Sequence, residues 1–382
     1  MSGYDYQHQL GSRHSPVTRR ISLLQAIHLD APLLGGLLVL VCVGLFVLYS
    51  ASSQSMDTLM RQMVRIVAGF AAMMVMAFIS PHTYKRWTPW LFGIGLLLLV
   101  GVLFSGAEAK GAQRWLAIPG TGVRFQPSEV MKLIVPMMLA WYLAERALPP
   151  GWRPVLLATI LIMVPTLLIA RQPDLGTALL IASSGFIVLF LSGLSWKYIA
   201  GLMAAAIPAG GGVWMVMHDY QRQRVLTFLD PERDRWGAGW NITQSKTAIG
   251  SGGWEGKGWL HGTQAHLDFL PESSTDFIIA VLAEEFGLLG VCALLLIYFA
   301  IVARGMYIAV NAQDSYSRLL AGAITLTFFV YVFVNIGMVS GVLPVVGVPL
   351  PMVSYGGTSM VTLMAGFGIL MSIHTHRKLV AT

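Results

Sequence analysis

The 382 residues are 55% hydrophobic and only 11% charged, whereas a typical soluble domain carries roughly 25% charged residues. An ordinary soluble enzyme is excluded by that balance. The formal net charge of +7 gives no case for nucleic acid either, because the basic residues are scattered through connections and form no stripe with stacking aromatics.

Residues 1–30 read as a polar N-terminal tail with Arg13, Arg19 and Arg20 ahead of the first apolar run. That run, Ala31 to Ser50, exceeds the roughly 7 to 15 apolar residues of a cleaved signal peptide, so it reads as a retained first span. Nine further runs near 62–80, 88–105, 128–145, 153–170, 175–193, 198–217, 286–303, 317–340 and 358–375 approach the roughly 20 residues needed to cross the hydrocarbon core. The expected fold is an all-α polytopic membrane protein of about ten transmembrane helices, with one large extracytoplasmic loop, 218–275, between helices 7 and 8. Residues 31–376 form one membrane domain in this reading, and 377–382 a short tail. Cys42 and Cys292 sit inside apolar runs, where a free cysteine acts as a small hydrophobe.

An even number of spans puts both termini on one side. Lys85 with Arg86, Arg146 with Arg153, Lys197, Arg304 with Arg318, and Arg377 with Lys378 all fall on that side. Basic residues mark cytoplasmic connections, so both termini are expected in the cytoplasm. The opposite connections at 51–60 and 341–357 contain no Lys or Arg, which supports the same orientation. Three outward segments, 106–127, 171–174 and 218–275, are polar or basic, which suits an anionic ligand on that face; pairing with nearby carboxylates such as Asp230, Glu232 and Asp234 is the alternative.

Polar motifs crowd the outward connections. The large loop closes on His261-Gly-Thr-Gln264 and Phe269-Leu-Pro-Glu272-Ser-Ser-Thr-Asp276-Phe277, then enters an apolar helix with Glu284 and Glu285. A helix from Asp276 to Ala303 is longer than one span, so its first turns are expected in a wet cavity with Asp276 projecting into it. Helix capping by Thr275 or Asp276 is the structural alternative. Pro127 and Ser128 open a helix on which Glu129 and Lys132, three residues apart, share a face and can pair. Arg114, Arg124 and Arg171 are candidate phosphate ligands, and Asp174 is a local carboxylate that could instead hold Arg114 or Arg171. Leu343 to Thr358, with its prolines and glycines, cannot be a regular helix; it is either a cavity wall or a plain loop.

Six motifs in order carry a resemblance. They are Gln113-Arg114-Trp115-Leu116, Phe125-Gln-Pro-Ser-Glu129, Gln172-Pro-Asp-Leu-Gly176, Gly239-Trp-Asn-Ile-Thr-Gln244, Leu270-Pro-Glu with Thr275-Asp-Phe, and Asn335-Ile-Gly-Met through Ser354-Tyr-Gly-Gly-Thr358. Together they resemble the SEDS family (shape, elongation, division and sporulation), and Met338 to Gly347 resembles its elongation branch more than its division branch. The resemblance implies a ten-span peptidoglycan glycosyltransferase of the bacterial cytoplasmic (inner) membrane. Such an enzyme polymerises lipid II on the outer face and works with a class B penicillin-binding protein among other elongation-complex membrane proteins. The family's loop aspartate maps onto Asp276.

The reaction so implied is attack by the 4-hydroxyl of one lipid-linked disaccharide on the anomeric carbon of another chain, expelling polyprenyl diphosphate. An α-linked donor giving a β-1,4 glycan is a single inversion, which one carboxylate base can serve, and Asp276 is the candidate. Arg114, Arg124, Arg171 and Lys132 are candidate ligands for the diphosphate, and His261, Gln264 and Glu272 are further substrate-contact candidates. No ligand cluster in the sequence requires a cofactor, although a divalent cation (Mg or Mn) is compatible with the chemistry. The competing readings are a lipid II transporter and a noncatalytic scaffold for wall-synthesis enzymes. Against the transporter stands the crowding of polar motifs on one face without inverted repeats.

Overall fold

The computed structural model describes residues 28–109, 112–117, 124–172, 174–216, 222, 226, 238–263 and 272–376. Helices α1 (Ala31–Ala51), α2 (Met56–Phe78), α3 (Pro81–Ser105), α4 (Pro127–Ala144), α5 (Trp152–Arg171), α6 (Leu175–Leu191) and α7 (Trp196–Val216) fall on the first seven apolar runs. After α8 (Ala238–Gly252), helices α9 (Ile278–Val310), α10 (Ser315–Val339) and α11 (Thr358–Thr375) fall on the last three. Seven of these helices are long and apolar enough by themselves to cross a membrane, and α6 is apolar with 17 residues. The architecture is therefore that of a polytopic helical membrane protein. α4 carries Glu129 and Lys132 in its first turns, but it is buried over most of its length, so its polar groups face protein.

Short polar residues set where helices begin. Asp30, Ser55, Ser80, Asp174 and Asp314 each accept a backbone N–H of the first turn of α1, α2, α3, α6 and α10, satisfying donors that have no partner within the helix. α10 is central: 72% of its apolar window is buried, against 22% for α2 and for α9. It packs on α4, α6 and α9, and the apolar core runs continuously from α1 to α11.

Three features differ from expectation. First, the chain is not wholly helical, because β1 (Ala107–Ala109), β2 (Ala112–Ala117) and β3 (Arg124–Phe125) form a small antiparallel sheet in the order β1-β2-β3 between α3 and α4. Second, the region taken as loop 218–275 contains α8, which packs on α9 and α10. Third, the long helix does not start at Asp276 and is not continuous: it begins at Ile278 and breaks at Gly287, where φ is 61° and ψ is −161°.

That left-handed position favours glycine, and the break is sealed from outside. The Lys257 and Gly258 N–H groups donate to the Glu284 and Glu285 carbonyls at 3.0 and 2.9 Å, and the Leu288 and Leu289 N–H groups donate to Gly253 and Trp254 at 3.0 and 3.2 Å. Groups orphaned by the interrupted helix thus find partners in the 253–258 segment. Residues 278–285 become a separate, fully enclosed helical piece.

The helix ends sort into two groups. His28 Nδ1 lies 3.1 Å from Thr375 Oγ1, and Asp30 meets Arg304 and His374, so the start of α1 and the ends of α9 and α11 share one end of the bundle. At the other end, Ser273 Oγ donates to the Ala51 carbonyl at the close of α1, 3.1 Å away.

Candidate active site

Asp276 sits in a tight turn, 272–277, immediately before α9. The turn closes on itself: the Thr275 N–H donates to the Glu272 carbonyl at 3.1 Å, and Thr275 Oγ1 donates to Glu272 Oε2 at 2.7 Å. The capping position of α9 is Phe277, with no side-chain capping bond, so capping by Thr275 or Asp276 is not the arrangement found.

What holds Asp276 comes from distant parts of the chain. Asn335 Nδ2, fully buried on α10, donates to the Asp276 carbonyl at 2.9 Å and to the Val348 carbonyl at 2.7 Å. Ser354 Oγ donates to the Thr275 carbonyl, and the Tyr355 N–H donates to the Ser274 carbonyl at 2.9 Å. The Asp276 carboxylate stands beside Gly347, its Oδ2 3.5 Å from where a Cβ there would lie. Each clamp spends a side-chain or backbone donor on a turn carbonyl, which fixes the backbone, and Asp276 itself is partly exposed.

The segment 343–357 is a wall, not a plain loop. Val348, Leu350, Pro351, Met352, Val353 and Ser354 are buried. The Val346 and Met352 carbonyls come so close to Gly176 and Gly44 that a Cβ would meet them at 2.5 and 2.7 Å. Tyr298 Oη donates to the Pro351 carbonyl at 2.6 Å and Ser354 Oγ accepts the Leu350 N–H at 2.8 Å. Irregular backbone inside a helical bundle needs such side-chain partners.

A second polar cluster lies around α4 and the start of α6. Glu129 Oε1 accepts Lys132 Nζ at 2.7 Å with both side chains buried, and the ammonium lies 5.1 Å from the Tyr331 ring centre on α10. Lys132, Thr327, Tyr331 and Thr362 line part of a small cavity between α4, α10 and α11. Asp174 joins three neighbours: Arg114 at 3.8 Å, Gln126 Nε2 at 3.1 Å and the Thr177 N–H at 3.3 Å. The contact of Gly176 with Val346 brings this cluster against the 343–357 wall that also faces Asp276.

The other site candidates fall elsewhere. Arg171 is exposed at the last position of α5, with no ion pair among the described residues. His261 is exposed and holds the Trp259 carbonyl at 2.8 Å. It belongs to the 253–263 segment, tied to α9 by Glu284, whose Oε1 accepts Lys257 Nζ at 2.7 Å and the Thr263 N–H at 2.8 Å. Glu272 is exposed on the turn itself. Arg124 pairs with Ala117 in the sheet through its backbone; its side chain, and Gln264, lie outside the described residues. Among the described residues no group of three or more His, Cys, Asp or Glu could hold a metal ion.

Sequence reasoning missed Gln62 and Arg65 on α2. Gln62 is buried and donates to the Ser354 carbonyl at 3.3 Å, and Arg65 lies over the Tyr355 ring, 4.1 Å from its centre. Their signal was present: two polar residues three apart on an apolar helix share a face.

A profile of cell cycle proteins, the FtsW/RodA/SpoVE family, matches residues 30–379. The chain belongs to that family. The peptidoglycan glycosyltransferase MrdB of Escherichia coli K12 is 55% identical over 359 residues, covering 93% of this chain and 96% of the relative. A probable peptidoglycan glycosyltransferase FtsW from Geobacter sp. M18 is 37% identical, covering 89% and 95%. Among solved structures, a chain of a peptidoglycan synthase complex that coordinates polymerization and crosslinking gives a TM-score of 0.80 at 33% identity, covering 92% of this chain and 99% of that one. The rod-shape-determining protein RodA of Thermus thermophilus gives 0.69 at 29% identity, covering 91% and 98%. Within the FtsW/RodA/SpoVE family the chain sides with the rod-shape branch.

Proposed function

We infer that this chain is a peptidoglycan glycosyltransferase that extends glycan strands from lipid II at the outer face of the cytoplasmic membrane during elongation. The enzyme class rests on the similarity to MrdB and FtsW glycosyltransferases along nearly the whole chain. The observation that carries the mechanism is the Asp276 turn, clamped from α10 and from 343–357 with its carboxylate beside Gly347.

In this reading Asp276 removes the proton from the attacking 4-hydroxyl as the new bond to the anomeric carbon forms. The bond from that carbon to the diphosphate oxygen breaks, and polyprenyl diphosphate leaves. Only one displacement is needed, so no second carboxylate is required as nucleophile. Charge on the departing diphosphate calls for cations, and Arg114, Arg124 and Arg171 are the side chains proposed for it; Lys132, already joined to Glu129, sets α4 in place. Mg²⁺ or Mn²⁺ riding on the diphosphate would serve the same end.

In this reading both termini and the Asp30 end are cytoplasmic and Asp276 is outside, which the distribution of basic residues supports. A class B penicillin-binding protein is the proposed partner, supported by likeness to a chain of a complex that couples polymerization with crosslinking. The test is purified lipid II incubated with purified protein, with and without that partner. Glycan product from the wild type and none from Asp276→Asn supports the reading. Transbilayer movement of lipid II without product sinks it in favour of transport.

A further inference from the structure

α2 carries two arginines one turn apart, and they differ in what surrounds them. Arg61 pairs with Asp57 at 2.6 Å, both exposed. Arg65 has no carboxylate partner and no hydrogen bond among the described residues, although it lies within a helix long and apolar enough to cross a membrane. From Met56 to Arg65 is nine steps, or about 14 Å along the axis at 1.5 Å per residue. A guanidinium at such a depth is costly unless an anion or a polar cavity receives it.

The surroundings describe a seat for an anion. One face of the guanidinium is held by the Tyr355 ring at 4.1 Å, which orients the plane and leaves its edge of N–H donors free to point away. Arg65 Nε passes 3.4 Å from where a Cβ on Gly357 would lie, and the space beside Gly356 is open. Gly357 is the capping residue of the 18-residue α11 and provides no side-chain cap. The first-turn N–H groups of α11 and the partial positive charge of its N-terminus therefore open beside Arg65. A planar guanidinium fork next to backbone donors matches phosphate oxygens.

The location narrows the phosphate. Tyr355 and Ser354 bond to the carbonyls of Ser274 and Thr275, directly before Asp276. In a glycosyl donor the diphosphate is attached to the carbon under attack, so its seat has to lie in the same site as the base, across that carbon from it. On the same helix Met60, Val64 and Val67 are more than 60% exposed and offer an apolar track for a lipid tail.

We propose that Arg65, set by Tyr355 beside Gly356 and Gly357, binds the diphosphate of a polyprenyl-linked sugar substrate. The proposal rests on the glycosyltransferase reading and adds a ligand for its leaving group.

The experiment uses the full chain in detergent and measures binding of a polyprenyl diphosphate, of phosphatidylglycerol and of inorganic pyrophosphate by native mass spectrometry, with lipid II polymerisation run on the same samples. Wild type should bind the polyprenyl diphosphate. Arg65→Gln should lose about tenfold in that affinity, the scale of one charge-assisted pair, with phosphatidylglycerol unaffected, and Arg65→Lys should regain part of it. Unchanged binding by a folded Arg65→Gln overturns the proposal, as does failure of the wild type to bind. Selective loss of phosphatidylglycerol overturns it too, assigning Arg65 to a lipid headgroup. If Arg65→Gln does not fold, Tyr355→Leu takes its place: it keeps the charge and removes the ring that aims it, and unaltered affinity there overturns the proposal. A wild type that binds polyprenyl diphosphate through Arg65 yet makes no glycan refutes the enzyme reading and leaves this site standing.

Discussion

At the end where α1 begins, Asp30 takes Arg304 at 2.6 Å and His374 at 3.3 Å, so charge meets charge and helix ends are tied together. At the opposite end Asn335, Ser354 and Tyr355 give their donors to backbone carbonyls around Asp276, and Gln62 holds the segment that does so. The first end uses ionisable groups to close the bundle. The second uses neutral ones to hold a backbone still around its aspartate. A buried polar group at one end is thus a fastener, and at the other it is a mould.

The sharpest break of that contrast is at Asp276. Asp276→Asn should leave folding and partner binding intact while lipid II polymerisation falls by about 100 to 10,000-fold; a well-folded variant polymerising at wild-type rate would reject Asp276 as base. Next comes the buried Glu129–Lys132 pair, which behaves as a fastener although it lies near the mould. Glu129→Gln or Lys132→Met alone should cost about 3 to 5 kcal/mol by leaving one buried charge unpaired. The double variant should cost less than the sum, and additive losses in detergent unfolding would show that the two act separately.

Asn335→Leu tests the mould directly. Losing the donor to two buried carbonyls should cost about 1 to 3 kcal/mol, and lipid II turnover should fall beyond what the folded fraction explains. Activity that simply tracks the folded fraction would deny Asn335 a role in placing Asp276.

The smallest effect is expected from acid at the fastened end. Burial alone would push the Asp30 carboxyl up, but the Arg304 guanidinium, the Leu33 N–H and His374 more than offset it and hold it below the usual carboxylate value. A depressed carboxylate stabilises the fold above its unfolded value, near 3.9, and that contribution fades as pH falls through and below it. The unfolding temperature of the wild type should therefore drop more steeply below about pH 4 than that of Asp30→Asn; parallel curves would remove Asp30 from the closure.

The spans were legible because each is a long apolar run, and α1 through α7 fall where hydropathy puts them. The break in α9 was not. Apart from Glu284 and Glu285 its residues are apolar on both sides of Gly287, and the partners that make a break tolerable, Gly253 to Gly258, lie in a distant stretch with no apolar pattern. The small sheet was hidden for a related reason, since strands of two to six residues carry too little period to read. At the site, Glu129 and Lys132 could be joined on paper because they sit on one helix. Asn335, Ser354 and Tyr355 could not be joined to the Asp276 turn, because their link is through main-chain carbonyls, which every residue has. The match of Arg114 with Asp174 was open for the same want of distance information: Arg171 is nearer in sequence, yet it is Arg114, brought in by β2, that reaches the carboxylate.

The clamp on Asp276 also sets an order of events in biosynthesis. Asn335 follows Asp276 by 59 residues and Ser354 follows Thr275 by 79. At roughly 5 to 20 residues per second, the turn leaves the ribosome about 4 to 16 seconds before the last of its clamps. During that interval a nascent chain has the Asp276 turn but none of the donors that hold it, so on the proposed role of Asp276 a partly inserted protein cannot begin drawing on the supply of lipid-linked precursor.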